Sequence, residues 1–157
     1  MSRWLRLSLV GLMVVVGMSL ITIQAQADSA PTGFQPAYHL LQNGGTGQCL
    51  DGAAEGSRVY TSPCTTRDRG QLWQVWNGKL TNIQSQRCLD HNFNGSAYTS
   101  LCSPLDDGQH WRVTEATLHG RNVRGFTPTT QPERWLQSDG SRGVYTGSYR
   151  PNAMWVG

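Results

Sequence analysis

Short runs of alternating apolar and polar residues, separated by turn residues, make up most of the chain. Two such runs, residues 71–76 and 79–83, flank the pair Asn77-Gly78, which is a strong β-hairpin signal. No stretch of about 12 residues beyond position 27 has the 3.6-residue apolar period of a helix. The pattern therefore predicts an all-β protein whose first strand lies near residues 38–42. Further turns are expected at Asn43-Gly44, Asn94-Gly95, Asp107-Gly108 and Asp139-Gly140.

The order of residue types also repeats with a period of about 39 residues. The first two copies read Cys49-Leu50-Asp51, Cys64, Gln71-Leu72-Trp73 and Cys88-Leu89-Asp90, Cys102, Gln109-His110-Trp111. A worn third copy reads Trp135-Leu136-Gln137, Val144-Tyr145-Thr146 and Trp155. A unit of this length cannot bury its own apolar face, so the copies must share one core. Three repeats of about four strands, about twelve in all, predict a closed barrel capped by hairpins around a pseudo-threefold axis, which is a β-trefoil.

The first 27 residues have the pattern of a secretory signal peptide. Arg3 and Arg6 precede the uncharged apolar run 7–23, and Ala25-Gln26-Ala27 forms a small-residue cleavage site. The apolar run is also close to the lower length limit of a membrane-spanning helix, so an uncleaved anchor is the alternative. We expect a cleaved signal peptide at 1–27, a short lead-in at 28–37 and one domain at 38–157, in a secreted, extracellular protein.

Removal of the signal peptide changes the charge of the chain. Arg3 and Arg6 are lost with no acidic residue, so 11 basic residues face 10 acidic ones. Scattered arginines without a basic stripe argue against nucleic acid as a partner. Membrane insertion of the mature chain is not expected either.

Four cysteines in an exported chain are typical of disulfides. Of the three possible pairings, the repeat favours Cys49 with Cys64 and Cys88 with Cys102. The third copy has Trp135 and Tyr149 at these positions, where a bulky apolar contact is expected instead. Zinc is a weak alternative because no close Cys/His spacing is present. No metal or other cofactor is expected.

The repeated Cys-x-Asp, second Cys and Gln-x-Trp elements resemble those of the ricin B-type lectin family, over residues 38–157. In that family the Asp of Cys-x-Asp takes sugar hydroxyls, and the Gln of Gln-x-Trp helps to hold that Asp. The resemblance thus implies a lectin with carbohydrate-binding pairs Asp51 with Gln71 and Asp90 with Gln109. A carboxylate suits this role because its two oxygens accept charge-assisted hydrogen bonds from adjacent hydroxyls.

The chain departs from the family pattern at the aromatic ring that covers the C–H face of a sugar. Galactose-binding members usually have this ring two residues before the second cysteine, where Ser62 and Ser100 stand here. Tyr60 and Tyr98 lie two residues earlier, on the same side of their strands, and are predicted to contact sugar instead. Asn92, in the loop after Asp90, is a further candidate contact.

A second departure lies directly before Gln-x-Trp. The family often has Asn there, whereas this chain has Gly70 and Gly108, so Asp68 or Asp107 would have to replace the lost polar contact.

Each of these residues also has a purely structural interpretation. The repeated tryptophans are expected in the shared core. The glutamines suit backbone pairing as well as support of a site. Asp51 and Asp90 suit turns, and Tyr60 and Tyr98 suit half-buried strand positions. The third copy, with Gln137 in place of Asp and Ala153 in place of Gln, is expected to be weak or only structural, unless Asp139 supplies a carboxylate.

Catalysis finds little support in the sequence. The four histidines follow no zinc-binding spacing, and no Gly-x-Ser-x-Gly turn is present. His91, next to Asp90, suits a contact or surface position better than that of a base. The function predicted is a secreted, non-enzymatic lectin. The alternative is a β-trefoil whose sugar sites have decayed and which binds a protein partner, as an accessory or receptor-binding subunit of a toxin-like complex.

Overall fold

The computed structural model describes residues 37–157. The predicted signal peptide, and all of the lead-in except Ala37, lie outside the described residues. The strands are β1 Tyr38–Leu40, β2 Gln42–Asn43, β3 Cys49–Gly52, β4 Val59–Ser62, β5 Leu72–Trp76, β6 Lys79–Asn82, β7 Cys88–His91, β8 Ala97–Ser100, β9 Trp111–Leu118, β10 Arg121–Pro128, β11 Arg134–Ser138, β12 Val144–Ser148 and β13 Met154–Val156. Three short 3-10 turns, Arg69–Gln71, Asp107–Gln109 and Pro151–Ala153, are the helical elements within this range, and the prediction of an all-β protein is confirmed.

The strands pair as antiparallel neighbours in three sheets. Their orders are β1-β5-β6-β7-β8, β4-β3-β2-β13-β10-β9 and β11-β12. The last strand pairs with both β2 and β10, so the end of the chain joins its beginning. The count is thirteen rather than twelve because β1 and β2 follow one another across the single residue Leu41. Together they take the place that β6 and β10 each fill as one continuous strand.

The hairpin predicted at Asn77-Gly78 joins β5 to β6. Both turn residues have positive φ, 48° and 72°, as a type I′ turn requires. The sequence did not predict the longest hairpin, β9–β10, whose turn is His119-Gly120 with φ of 50° and 75°. Asp107-Gly108 lies in a 3-10 turn rather than in a β-turn.

The core repeats the same contact three times. Trp73, Trp111 and Trp155 are buried, and each indole Nε1 donates to a leucine carbonyl: Leu50 at 2.9 Å, Leu89 at 3.0 Å and Leu136 at 3.1 Å. A buried indole needs a partner for its N–H, and the leucine of each copy supplies one. The prediction that these tryptophans form the shared core is confirmed.

A ring of backbone hydrogen bonds links each copy to the next. The amides of Thr61, Thr99 and Thr146 donate to the carbonyls of Arg142, Ser57 and Gly95, at 3.0, 2.8 and 2.8 Å respectively. Copy 1 therefore donates to a carbonyl of copy 3, copy 2 donates to copy 1, and copy 3 donates to copy 2. This cyclic pattern is the pseudo-threefold arrangement that the repeat predicts.

Both predicted disulfides are formed, with S–S distances of 2.07 Å for Cys49–Cys64 and 2.04 Å for Cys88–Cys102. In the third copy the rings of Trp135 and Tyr149 meet edge to face, with centroids 5.2 Å apart, which confirms the expected apolar contact.

Among residues 37–157 there is no helix long and apolar enough to span a membrane. The same residues bring no three His, Cys, Asp or Glu side chains together as a metal-binding group.

Candidate functional site

In the first copy, a chain of three side chains holds the carboxylate of Asp51. Asp51 is the third residue of β3, which is buried along its whole length, and it pairs across the sheet with Tyr60 in β4. Gln71 Nε2 donates to Ser62 Oγ at 2.6 Å, and Ser62 Oγ donates to Asp51 Oδ2 at 2.5 Å. The glutamine thus supports the carboxylate through the serine hydroxyl. All three polar groups are buried, so this order of donors fixes the carboxylate in one orientation.

The second copy repeats this chain of donors. Gln109 Nε2 donates to Ser100 Oγ at 2.5 Å, and Ser100 Oγ donates to Asp90 Oδ2 at 2.6 Å. Asp90 pairs with Tyr98 across β7 and β8 as Asp51 pairs with Tyr60. We call this arrangement of Asp, Ser and Gln the carboxylate relay.

The two glutamines serve the backbone as well as the relay. Gln71 donates to Pro63 O at 2.9 Å and accepts from Thr65 N at 2.8 Å, so it also fixes the loop after β4. Gln109 does the same with Leu101 O at 2.8 Å and Ser103 N at 2.9 Å. The two interpretations of these residues are therefore not exclusive.

Close approach of each carboxylate explains the glycine before Gln-x-Trp. A Cβ at Gly70 would lie 2.5 Å from Asp51 Oδ1, and a Cβ at Gly108 would overlap Asp90 Oδ1. The amides of these glycines are capped by Asp68 Oδ1 at 2.9 Å and by Asp106 Oδ1 at 3.0 Å. The equivalent of Asp68 is thus Asp106, and the expectation that named Asp107 was one residue out of register.

The Asp90 carboxylate lies in an open cavity of about 330 Å³. One of its oxygens, Oδ1, is buried and has no hydrogen-bond partner among the described residues. A buried acceptor of this kind is costly when nothing donates to it. The cavity is lined by Asp90, His91, Asn92, Phe93, Tyr98, Asp106, Asp107, Gly108 and Thr130.

An exposed aromatic ring borders this cavity. Phe93 is 78% exposed, although phenylalanine is among the residue types most often buried in folded proteins. His91, by contrast, is buried against Trp111, with its Nδ1 2.8 Å from Gly108 O, so its surface interpretation is wrong.

Burial and neighbouring carboxylates raise the pKa values of Asp51, Tyr60 and Tyr98. Burial raises the pKa of the Asp51 carboxyl, and the hydrogen bond from Ser62 opposes that shift. The pKa of Tyr60 is raised by burial and then by the negative charges of Asp51 and Asp68. Burial and the charges of Asp90 and Asp106 raise the pKa of Tyr98 in the same way. Both tyrosines therefore keep their hydroxyl protons and remain hydrogen-bond donors.

The third copy lacks every member of the relay. Gln137 takes the Asp place, opposite Tyr145. Gly147 stands opposite Trp135, where Ser62 and Ser100 stand opposite their cysteines, and Ala153 takes the Gln place. Gln137 Nε2 donates to the backbone at Ser148 O, 2.7 Å away. Asp139 Oδ1 accepts from the amides of Ser141 and Gly143, so this carboxylate is occupied by its own turn.

The structure joins each predicted carboxylate to its predicted glutamine through a serine, and it adds four neighbours that the sequence analysis did not predict as site residues. Ser62 and Ser100 were read as lost aromatic positions, although their recurrence at one register in two copies was a signal of a shared role. Asp106 also recurs, since it stands two residues before Gly108 as Asp68 stands two residues before Gly70, whereas Phe93 has no counterpart in the first copy and carried no such signal.

The model of one protein family, described as the ricin-type beta-trefoil lectin domain, matches residues 34–125. No curated protein matches the chain in sequence. Among solved structures, the hemolytic lectin CEL-III is similar at 23% identity and a TM-score of 0.61, over 76% of this chain and 29% of that one.

Two further structures share the fold. The C-half of the earthworm R-type lectin in complex with GalNAc is 16% identical, with a TM-score of 0.59, and the match covers 77% of this chain and 97% of that one. A GlcNAcα1-4Gal-releasing endo-β-galactosidase from Clostridium perfringens is 19% identical, with a TM-score of 0.60, over 75% of this chain and 31% of the enzyme. The chain therefore spans nearly all of the earthworm lectin half but about a third of the other two proteins.

Proposed function

Because the chain belongs to the ricin-type β-trefoil lectin family, we propose that it is a secreted carbohydrate-binding protein with two shallow sites, centred on Asp51 and Asp90. The carboxylate relay is the observation that supports these two positions. It occurs in the two copies that keep the Asp and is wholly absent from the third. A purely structural turn aspartate would not need a serine and a glutamine behind it.

The relay leaves each carboxylate ready to accept further hydrogen bonds. Ser62 and Ser100 occupy one oxygen, Oδ2, and the other faces the glycine before Gln-x-Trp. Two adjacent sugar hydroxyls donate to these oxygens, as charge-assisted bonds. Tyr60 and Tyr98 supply hydroxyl groups beside them. The carboxylates act as acceptors in this proposal, and no reaction is assigned to them.

The Asp90 site has the more complete surroundings. Asn92 and Phe93 border the same cavity as Asp90 and Tyr98. An aromatic ring covers the less polar C–H face of a sugar, and we assign this role in the second copy to Phe93. The ring that family members have at the Ser100 position is thereby replaced from the loop between β7 and β8.

Secretion is part of the same proposal. The residues before Asp28 have the pattern of a cleaved signal peptide. Two disulfides are typical of proteins that fold in an oxidising compartment. The proposed ligand is an extracellular glycan or polysaccharide.

Binding to a protein partner is the second candidate. Three large apolar side chains on the loops of the second copy, Phe93, Leu101 and Leu105, are 75% exposed or more. Exposed apolar surface of this kind is found at protein interfaces as well as at sugar sites. This candidate keeps the alternative of an accessory or receptor-binding subunit.

A glycan and polysaccharide array tests the proposal, with purified residues 28–157 beside the Asp51→Asn, Asp90→Asn double variant. The Glu133→Gln variant is the matched control, because Glu133 is an exposed carboxylate in the third copy. The native protein and the control are expected to bind the same sugars, and the folded double variant is expected to lose them. Galactose-containing glycans belong among the probes, since the earthworm lectin holds GalNAc.

Equal binding by the double variant would contradict the assignment of the two sites. If the native protein binds no glycan at all, the lectin function fails, and the exposed apolar loops become the surface to test.

A further inference from the structure

The two proposed sites differ in their charge. Arg58 and Arg142 both lie over the ring of Tyr60, with Cζ 5.1 and 5.5 Å from the ring centroid. Arg58 comes from the same copy as Tyr60, two residues before it, and Arg142 comes from the third copy. A sugar at Asp51 therefore meets two guanidinium groups where a neutral stacking surface was expected.

The repeat itself shows that these arginines are specific to the first site. At Tyr98 the residue two positions earlier is Ser96, and the residue that bonds the next threonine amide is Ser57. At Tyr145 the corresponding residues are Gly143 and Gly95. The fold thus works with small residues at both positions, and their replacement by arginine is not a requirement of the trefoil.

Arg142 is also held in a costly backbone conformation. Its φ is 78°, in the left-handed region that favours glycine, and its equivalent Gly95 has a φ of 95°. Its Nε donates to Thr61 O at 3.3 Å, which fixes the side chain against the first copy. Residues kept in such conformations cluster at functional positions.

The charge of the two arginines is not neutralised within the described residues. The salt bridge found there joins Arg124 to Glu115, on the β9–β10 hairpin. Neither Asp51, which accepts from Ser62, nor Asp68, which caps the amide of Gly70, forms a salt bridge with Arg58 or Arg142. Both guanidinium groups are exposed at the surface.

From this geometry, and resting on the proposed lectin function, we infer that the Asp51 site recognises an acidic sugar. The sugar's hydroxyls donate to Asp51, and its carboxylate or sulfate group pairs with Arg58 and Arg142. Guanidinium groups suit this role because they bind planar or tetrahedral oxyanions through two parallel N–H donors and stack on an aromatic ring at the same time. The Asp90 site, which has Phe93 in its wall, takes a neutral sugar.

The Asp90→Asn variant isolates the first site for the test. Its binding to immobilised polygalacturonate, a sulfated galactan and a neutral galactan is measured by surface plasmon resonance. We expect binding to at least one acidic polymer, and the two acidic polymers distinguish a carboxylate ligand from a sulfate ligand. Neutral galactan is expected to bind at least about tenfold more weakly, since charge-assisted bonds are lost.

The second arm uses the variant Arg58→Ser, Arg142→Gly. It replaces each arginine by a residue that stands at the equivalent position in another copy. This change is expected to weaken binding of the acidic polymer by about tenfold or more. Arg112→Ser, Arg121→Ser is the matched control, because these arginines are exposed on the β9–β10 hairpin and the loss of charge is the same. The control is expected to bind as before.

The possible failures can be told apart. If the arginine variant binds acidic polymers unchanged, or if the control loses as much, the inference is overturned while the lectin function stands on its Asp51 and Asp90 dependence. If the native protein binds no polymer or glycan, the proposed function fails and the inference falls with it.

Discussion

Ser62 contributes a single oxygen atom, yet that atom joins the glutamine of Gln-x-Trp to the carboxylate of Cys-x-Asp. It accepts from Gln71 and donates to Asp51, and Ser100 does the same between Gln109 and Asp90. A hydroxyl can do both at once because it has one donor and two acceptor positions. Without it, each carboxylate would keep its place in the strand but lose the donor that orients it.

Substitution of this hydroxyl tests the relay. Ser62→Ala leaves a buried carboxylate oxygen and one amide proton of Gln71 unpaired, so the free energy of unfolding is expected to fall by about 1–3 kcal/mol. Binding through the first site is expected to weaken with it. Urea denaturation and glycan binding measure the two effects. Ser96→Ala is the control, because its hydroxyl bonds only the exposed Asn94 side chain, and an equal loss in both variants would contradict the relay.

The perturbed acidity of Asp51 gives a pH dependence to the first site. In the proposed site sugar hydroxyls bind the carboxylate, and burial raises the pKa of Asp51, so protonation is expected to release the sugar at a higher pH than from an ordinary aspartate. In the Asp90→Asn variant, affinity is expected to fall on acidification while the pH is still above the usual Asp range. Calorimetric titration with the bound sugar at a series of pH values follows this loss.

The raised pKa of Asp51 changes folding stability with pH in the opposite direction to the lowered pKa of a typical paired aspartate. The folded state holds the Asp51 proton more tightly than the unfolded state, so this group lowers stability as the pH rises through the interval between its ordinary and raised pKa. A midpoint of sugar release at or below that of an unperturbed aspartate would contradict the role of burial.

At this scale the sequence predicted the two ends of the relay, the aspartate and the glutamine, and not the serine between them. Asp51, Gln71, Asp90 and Gln109 stand in repeated motifs whose roles the resemblance to ricin B-type lectins implies. A serine is neutral with respect to many roles, so its function emerges when β3 and β4 pair and bring position 62 beside position 51. The arginines over Tyr60 were not predicted for a related reason, because Arg142 comes from another copy.

The three equivalent hairpins are stabilised by different contacts, two by a disulfide and one by a pair of aromatic rings. The β3–β4 and β7–β8 hairpins are each continued by a disulfide, whereas beside β11–β12 the rings of Trp135 and Tyr149 meet instead. A disulfide across a loop of about 15 residues contributes roughly 3 kcal/mol, while an edge-to-face ring pair contributes about 0.5–1.5 kcal/mol.

This difference leads to an ordered set of stabilities. Cys49→Ala, Cys64→Ala is expected to lower the free energy of unfolding by about 3 kcal/mol, and Tyr149→Leu by about 1 kcal/mol. Thermal and urea unfolding of both variants measure the order. Tyr145→Leu, in the β12 strand that Tyr149 follows, controls for replacement of a tyrosine by leucine on the same hairpin. A larger loss for Tyr149→Leu than for the cysteine pair would reverse the interpretation.

Hairpins were predicted where their turns are explicit in the sequence. Asn77-Gly78 predicts the β5–β6 turn because both residues tolerate positive φ. His119-Gly120 makes the same kind of turn between the longest strands, but histidine is not a typical residue at that position and gave no signal. Local chemistry thus predicts an element when the turn needs a special residue, and fails when the flanking strands impose the turn.

For the whole molecule, periodicity carried more information than any single motif. The family model matches as far as residue 125, yet the third copy continues through β13 and closes the barrel on β2. All three members of the carboxylate relay have been replaced there, while Tyr145 is kept and Trp155 and Leu136 keep the indole-to-carbonyl bond of the other copies. Selection for the shared core is separable from selection for a site, since the core needs three equivalent copies and sugar binding does not.

The two proposed sites lie in one domain, and we therefore predict that avidity determines the useful affinity of the protein. Single shallow sugar sites bind in the millimolar range, about 4 kcal/mol, and two sites that engage one polymer gain through effective concentration. Either single variant, Asp51→Asn or Asp90→Asn, is therefore expected to lower the apparent affinity for a polysaccharide with acidic and neutral units by about a hundredfold or more. Binding of a monosaccharide at the intact site should stay unchanged, as should polymer binding by Glu133→Gln. A loss of no more than about twofold for both single variants would mean that the two carboxylates never engage the same polymer, and that each site acts alone.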